Sequence, residues 1–408
     1  MRKNIVSQSK NRKKLQRLGG FDIIFLIIVL SLVTLGLIML FSSSYTYAYY
    51  YKRGDSFYFL KKQVIFVVLG IIVMFIVSKT DYRKFKNIAY IILFVSYALL
   101  FIVLILPPPP GYEEFHRWIR IPLLGTFQPS EIAKFAIILF FSYHMDKYYL
   151  NNNNLVTPNS PNAKINIGSF KISRLTFNKI LYVSIILFNC GLIYAENHVS
   201  GALLVFAIGV LMMYLAGFKN WYFIVAGVLF LILVVFVISK PELLPGHATP
   251  RIRSWLDKDY SPMKYRWQTN NALYAIASGG FLGKGLGNST QKHLYVSEPQ
   301  NDFIFSIVCE ELGFLGGAII VGLFIALLVR GLYIANRSND RFGTFLCLGI
   351  VFQISIQAAL NIGVVTDMLP NTGISLPFFS YGGTAMMILL FELGIVLSIS
   401  RSARIRKD

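Results

Sequence analysis

Apolar residues in this chain are grouped in long, nearly unbroken runs rather than at the spacings of amphipathic helices or strands. The first run is Phe21–Phe41, and others follow at 60–78, 88–106, 129–145, 178–195, 199–217, 221–239, 303–329, 342–365 and 381–400. A bilayer core is crossed by about 20 consecutive apolar residues in a helix. The pattern therefore predicts an all-α integral membrane protein with ten transmembrane helices. The second and fourth runs open on polar groups (Lys61, Lys62; Glu131, Lys134). The first run is longer than the apolar region of a secretory signal and no A-x-A site follows it, so it is expected to be retained. No internal repeat is evident.

Charge changes the picture by giving the spans a direction. The chain of 408 residues is 55% hydrophobic and only 14% charged, with a net charge of +20. With the N-terminus placed in the cytoplasm, the inner segments 1–20, 79–87, 146–177, 218–220, 330–341 and 401–408, with Lys179, hold 24 of the 39 basic residues. Only Asp81, Asp146, Asp340 and Asp408 oppose them. This is the positive-inside distribution, with both termini cytoplasmic, and it removes any need for nucleic acid as a partner. The stretch 1–20 reads as a basic cytoplasmic tail and 146–177 as a cytoplasmic linker. Cys190, Cys347 and Cys309 lie far apart in or beside apolar runs and have neither disulfide nor zinc spacing.

Two non-apolar stretches face outward. One is Pro107–Phe127. The other, 240–302, is a large extracellular loop between helices seven and eight, rich in Trp, Tyr, Gly and Arg and so expected to be structured. Its Ala272–Ile276 piece reads as a half-helix against the membrane surface. The loops carry the cations Arg117, Arg120, Arg251, Arg253, Lys264, Arg266, Lys284 and Lys292, a basic surface at headgroup level suited to an anionic lipid. Ordinary surface charge is the alternative. Gly283–Gly287 follows no buried strand, which argues against a nucleotide loop.

Carboxylates at membrane depth mark function by default; here they are Glu131, Glu196, Asp302, Glu310, Glu311, Asp367 and Glu392. Glu131 and Lys134 are three apart on one helix face, either a structural ion pair or part of a site. Glu196 lies at an outer turn beside His198. At least one of Glu310 and Glu311 is expected to accept hydrogen bonds from neighbouring helices. Asp367 reads as solvated, and Glu392 as a packing anchor. Asp302 sits between a polar loop and an apolar wall, where desolvation raises a carboxyl toward a useful base. A helix N-cap is the equal alternative.

Several blocks resemble the SEDS (shape, elongation, division and sporulation) family, whose members include FtsW, RodA and SpoVE. They are Arg117-Trp118-Ile119 with Gln128-Pro129-Ser130-Glu131 to Lys134; Ala275-Ile276-Ala277-Ser278-Gly279-Gly280 with Gly283-Lys284-Gly285-Leu286-Gly287; Glu298-Pro299-Gln300-Asn301-Asp302-Phe303-Ile304-Phe305 with Glu310-Glu311-Leu312-Gly313; and Leu369-Pro370-Asn371-Thr372-Gly373 through Ser380-Tyr381-Gly382-Gly383. The resemblance covers nearly the whole chain as one membrane domain and is nearest to the FtsW/SpoVE branch. The chain departs from the family at Glu196-Asn197-His198-Val199-Ser200-Gly201, where a Pro-Asp-Leu-Gly-Thr run is common.

The resemblance implies a peptidoglycan glycosyltransferase that polymerises lipid II at the outer face of the cytoplasmic membrane, in division, sporulation or shape maintenance. The family's essential acid maps onto Asp302, and the Glu and Lys of its fourth helix onto Glu131 and Lys134. Arg117, Arg120, Arg251, Arg253, Arg266, Lys284, Glu196 and Ser380 complete the candidate cavity residues. The expected partners are lipid II, a class B penicillin-binding transpeptidase, other divisome or elongasome membrane proteins and membrane lipid. A divalent cation, Mg or Mn, is the one candidate cofactor. The alternatives are a lipid II flippase and a non-catalytic scaffold for the transpeptidase.

Overall fold

The structure, a computed structural model, describes residues 20–108, 116–121, 125–148, 164–167, 170–240, 242, 248–261, 263 and 266–403. The basic stretch 1–19, most of the 146–163 portion of the linker, and Lys264 lie outside the described residues. Each of the ten apolar runs forms a helix: α1 (Ile23–Tyr51), α2 (Tyr58–Lys79), α3 (Ala89–Ile105), α4 (Pro129–Tyr148), α5 (Arg174–Ala195), α6 (Val199–Leu215), α7 (Asn220–Ser239), α10 (Ile304–Asn336), α11 (Arg341–Val365) and α12 (Gly383–Ala403). The connection between α7 and α10 adds α8 (Ala248–Leu256) and α9 (Trp267–Gly279). Two antiparallel ribbons complete the fold: β1 (Ile119–Ile121) with β2 (Gly125–Phe127), and β3 (Lys164–Ile167) with β4 (Phe170–Ser173).

Among the described residues seven helices, α1, α2, α3 (with the 3₁₀ turn before it), α5, α10, α11 and α12, are long and apolar enough to cross a membrane. The chain is a multi-pass, all-α membrane protein. The helix α4 is less apolar because protein rather than lipid covers it: every residue from Ala133 to Ser142 is buried. Its main neighbours are α3, α11 and α6; elsewhere α12 lies along α2, and α10 along α11. At the N-terminal end of α1, Arg330 is paired with Asp22, whose carboxylate also caps α1 through the Phe25 amide.

The helix α10 is broken at Gly313, which has φ +70° inside the helix. The break is closed by the loop that follows α9. The carbonyls of Glu310 and Glu311 accept from the amides of Lys284 and Gly285, while the amides of Phe314 and Leu315 donate to Gly280 and Phe281. A kink needs such replacement partners, because a buried amide or carbonyl without one is costly. The two backbones touch so closely that a Cβ on Gly313 would lie 2.3 Å from the Gly283 amide nitrogen.

Both Glu310 and Glu311 are fully buried and both accept hydrogen bonds. Glu310 takes them from Lys284 Nζ (2.6 Å) and the amides of Thr290 and Gln291. Glu311 takes them from Ser42 Oγ on α1 and Lys292 Nζ (2.9 Å). Because the amides of Lys284 and Gly285 are spent on α10, the Gly283–Gly287 segment is no phosphate cradle. The thiols of Cys190 and Cys347 bond to the carbonyls of Ala202 and Gly331, and all three cysteines are free.

Candidate active site

A cavity of about 400 Å³ lies among α4, α6, α11 and α12, with the segment 298–302 and α8 at its mouth. Of the residues singled out from the sequence, Asp302, Arg117, Arg251, Glu131, Lys134 and Ser380 line it. The N-cap of α10 is Phe303, and no side chain caps that end. Asp302 is therefore not spent on helix termination, which removes the N-cap reading.

The Asp302 backbone is held from two sides. Asn361 Nδ2 of α11 donates to the carbonyl of Asp302 and to that of Ile374, both at 2.7 Å. Ser380 Oγ donates to the carbonyl of Asn301 (2.9 Å) and accepts from the amide of Leu376, while the Tyr381 amide donates to Gln300. The Leu369–Gly383 block thus clamps the chain that carries the acid. Enclosure pushes the Asp302 carboxyl up to about 6, against the downward pull of Arg117; Glu298 adds to the rise and Arg251 opposes it. Arg117 is itself buried and donates to the carbonyl of Asn197. Burial and the nearby Arg251 lower its guanidinium to about 10, so it stays cationic at neutral pH.

Deeper in, Lys134 Nζ pairs with Glu131 (2.8 Å) and donates to Gln357 Oε1 (2.8 Å). Glu392 on α12 is fully buried and accepts from Gln353 Nε2 at 3.1 Å. It also lines the cavity. Gln353, Gln357 and Asn361 recur every four residues along α11 and bond respectively to Glu392, Lys134 and Asp302. This polar stripe is legible in the sequence as three amides on one face of an apolar run. His198, Gln128 and Glu298 also line the cavity. Only their place beside the recognised motifs could have pointed to them.

Five candidates lie elsewhere. Arg266 is buried and pairs with Asp367 (2.5 Å) while donating to the carbonyl of Ser254 (2.7 Å). Trp255 Nε1 bonds to the Asp367 carbonyl, so these groups brace α8 against the end of α11. This corrects the reading of Asp367 as merely solvated. Lys284 belongs to the Glu310 cluster. Arg253 pairs with Glu242 at the surface, and Arg120 is exposed on β1. Glu196 is fully buried just behind Arg117, neither of its oxygens has a hydrogen-bond partner among the described residues, and burial pushes its carboxyl up to about 8.

The sequence pattern of the FtsW/RodA/SpoVE family, described as cell cycle protein, matches residues 22–405. The chain belongs to this family. It is 35% identical to the stage V sporulation protein E of Bacillus subtilis, over 94% of this chain and 98% of that one. It is 33% identical to the probable peptidoglycan glycosyltransferase FtsW of Trichlorobacter lovleyi, over 95% of each. The fold is similar to that of a solved chain reported under the structural coordination of polymerization and crosslinking by a peptidoglycan synthase complex (TM-score 0.72, 24% identity, 95% of this chain and 99% of that one). It is also similar to the rod shape determining protein RodA of Thermus thermophilus (TM-score 0.62, 22% identity, 93% and 97%).

Proposed function

We propose that the chain is a peptidoglycan glycosyltransferase that polymerises lipid II, with Asp302 as its general base. The observation that carries this reading is a carboxylate freed from helix capping, raised by enclosure and flanked by Arg117 and Arg251 at the mouth of a cavity. The relatives named above as glycosyltransferase and sporulation protein support it. In this reading all ten helices cross the membrane, both termini are cytoplasmic, and the mouth opens on the outer face. The working partner is a class B penicillin-binding transpeptidase.

Asp302 takes the proton of the acceptor sugar 4-hydroxyl as its oxygen attacks the anomeric carbon of the donor. The bond from that carbon to the pyrophosphate breaks, and the pyrophosphate leaves with the electron pair. A single displacement inverts the α-linked donor to a β-linked polymer. A positioned base contributes roughly 10²- to 10⁴-fold, and Arg117 and Arg251 stabilise the charge gathering on the leaving group. Among the described residues no three His, Cys, Asp or Glu side chains converge as a metal site.

The test is polymerisation of labelled lipid II by the purified protein, with and without its transpeptidase. Wild type is expected to make polymer and Asp302→Asn none. The polar floor of Glu131, Lys134 and Glu392 favours one second reading, a lipid II flippase. Lipid II crossing liposome bilayers without any polymer would establish it instead, and transpeptidase binding alone would mark a scaffold.

A further inference from the structure

His198, the N-cap of α6, is buried, yet its ring forms part of the cavity wall. The ring lies flat on Gly201, where a Cβ would come within 2.5 Å of Nδ1, so its place is fixed by packing. Its Nδ1 is 3.4 Å from the side-chain amide nitrogen of Gln128. An amide nitrogen only donates, so Nδ1 accepts and the ring proton resides on Nε2. Among the described residues Nε2 makes no hydrogen bond, so its N–H is available to a ligand in the cavity that His198 lines. Burial, with the charges of Arg117 and Lys134 on either side, holds the imidazole well below its usual value and therefore neutral.

We propose that His198 contacts the pyrophosphate of the lipid-linked donor, its Nε2–H donating to a non-bridging phosphate oxygen between Arg117 and Lys134. The proposal rests on the glycosyltransferase reading. Arg117 stands by the base at the mouth and Lys134 at the floor, so a donor with its sugar at Asp302 and its tail among the helices sets its phosphates at the level of His198. A neutral donor there adds a hydrogen bond without adding repulsion to two cations already in place. Gln128 acts through it, as the positioning residue that fixes the tautomer.

The experiment uses the full chain in nanodiscs with two probes, polyprenyl pyrophosphate and the polyprenol of the same tail. His198→Ala is expected to weaken polyprenyl pyrophosphate binding about 10- to 100-fold, the value of a hydrogen bond to a charged group, and to leave polyprenol binding unchanged. His198→Gln, which keeps a neutral N–H, recovers most of that loss. In wild-type protein with ¹⁵N-labelled histidine, the protonated Nε2 resonance of His198 moves with polyprenyl pyrophosphate and not with polyprenol. Equal weakening of both lipids, or an unmoved Nε2 resonance in protein that binds the pyrophosphate and polymerises lipid II, overturns the role of His198 alone. Wild type that neither binds the pyrophosphate nor makes polymer overturns the underlying reading and this proposal with it.

Discussion

Asp302 and Arg117 meet across Gly373: a Cβ built on that glycine would lie 3.4 Å from Asp302 Oδ2 and 4.0 Å from Arg117 Nη1. Gly373 has φ +70°, which costs a residue with a side chain about 1–2 kcal/mol. Gly373→Ala therefore strains the loop and sets a methyl group beside both functional groups. We expect polymerisation to fall about 10- to 100-fold, with the melting temperature lowered by only a few degrees. A variant as active as wild type would show that the carboxylate and guanidinium do not act on the same substrate.

The pH dependence of kcat/KM follows from the Asp302 carboxyl, which must be ionised to take a proton. Activity is expected to rise with pH through about 6 and then level off. Arg251→Gln removes a downward pull, so this acid limb moves to higher pH; Glu298→Gln removes an upward push and moves it lower. Limbs that coincide in all three proteins would assign the titration to another group.

The brace between Arg266 and Asp367 predicts a stability effect separate from the chemistry. Removing one partner of a buried pair costs about 3–5 kcal/mol, so Arg266→Met should lower the melting temperature clearly. The double variant Arg266→Met with Asp367→Leu should regain a large part of the loss. An Arg266→Met protein as stable as wild type would mean that the brace contributes nothing.

Glu196 ties stability to pH in the opposite sense from an ordinary ion-paired acid. Its folded value of about 8 lies above the carboxylate range of the unfolded chain, so the folded state holds the proton more tightly. Stability is therefore expected to decline as pH rises between about 4.5 and 8. In Glu196→Gln this dependence is reduced, and denaturation at pH 5 and pH 8 measures it. A gap between variant and wild type that does not widen toward pH 8 would refute the assignment.

The helices and the motif-bearing residues were legible because they are local. Ten apolar runs became ten helices, and Glu131 met Lys134 because three residues of helix put them together. The outer-loop cations divided for the opposite reason. Arg266 found Asp367 about a hundred positions away, and Lys284 found Glu310, while Arg117 and Arg251 reached Asp302. Nothing in composition or spacing distinguishes these four. The place of Glu392 and His198 on the cavity was not legible, because a polar residue in a packed helix gives no sign of whether it faces a neighbour or a cavity.

The exchange of backbone bonds across the Gly313 break bears on how the protein is made. A helix ordinarily completes its own ladder as it leaves the ribosome, each amide reaching back four residues. Here Glu310, Glu311, Phe314 and Leu315 find partners in the stretch 280–285, which is synthesised earlier and lies in the loop after α9. Completing α10 and docking that loop are thereby a single assembly event, and the carboxylate two residues ahead of α10 takes its place only when both are done.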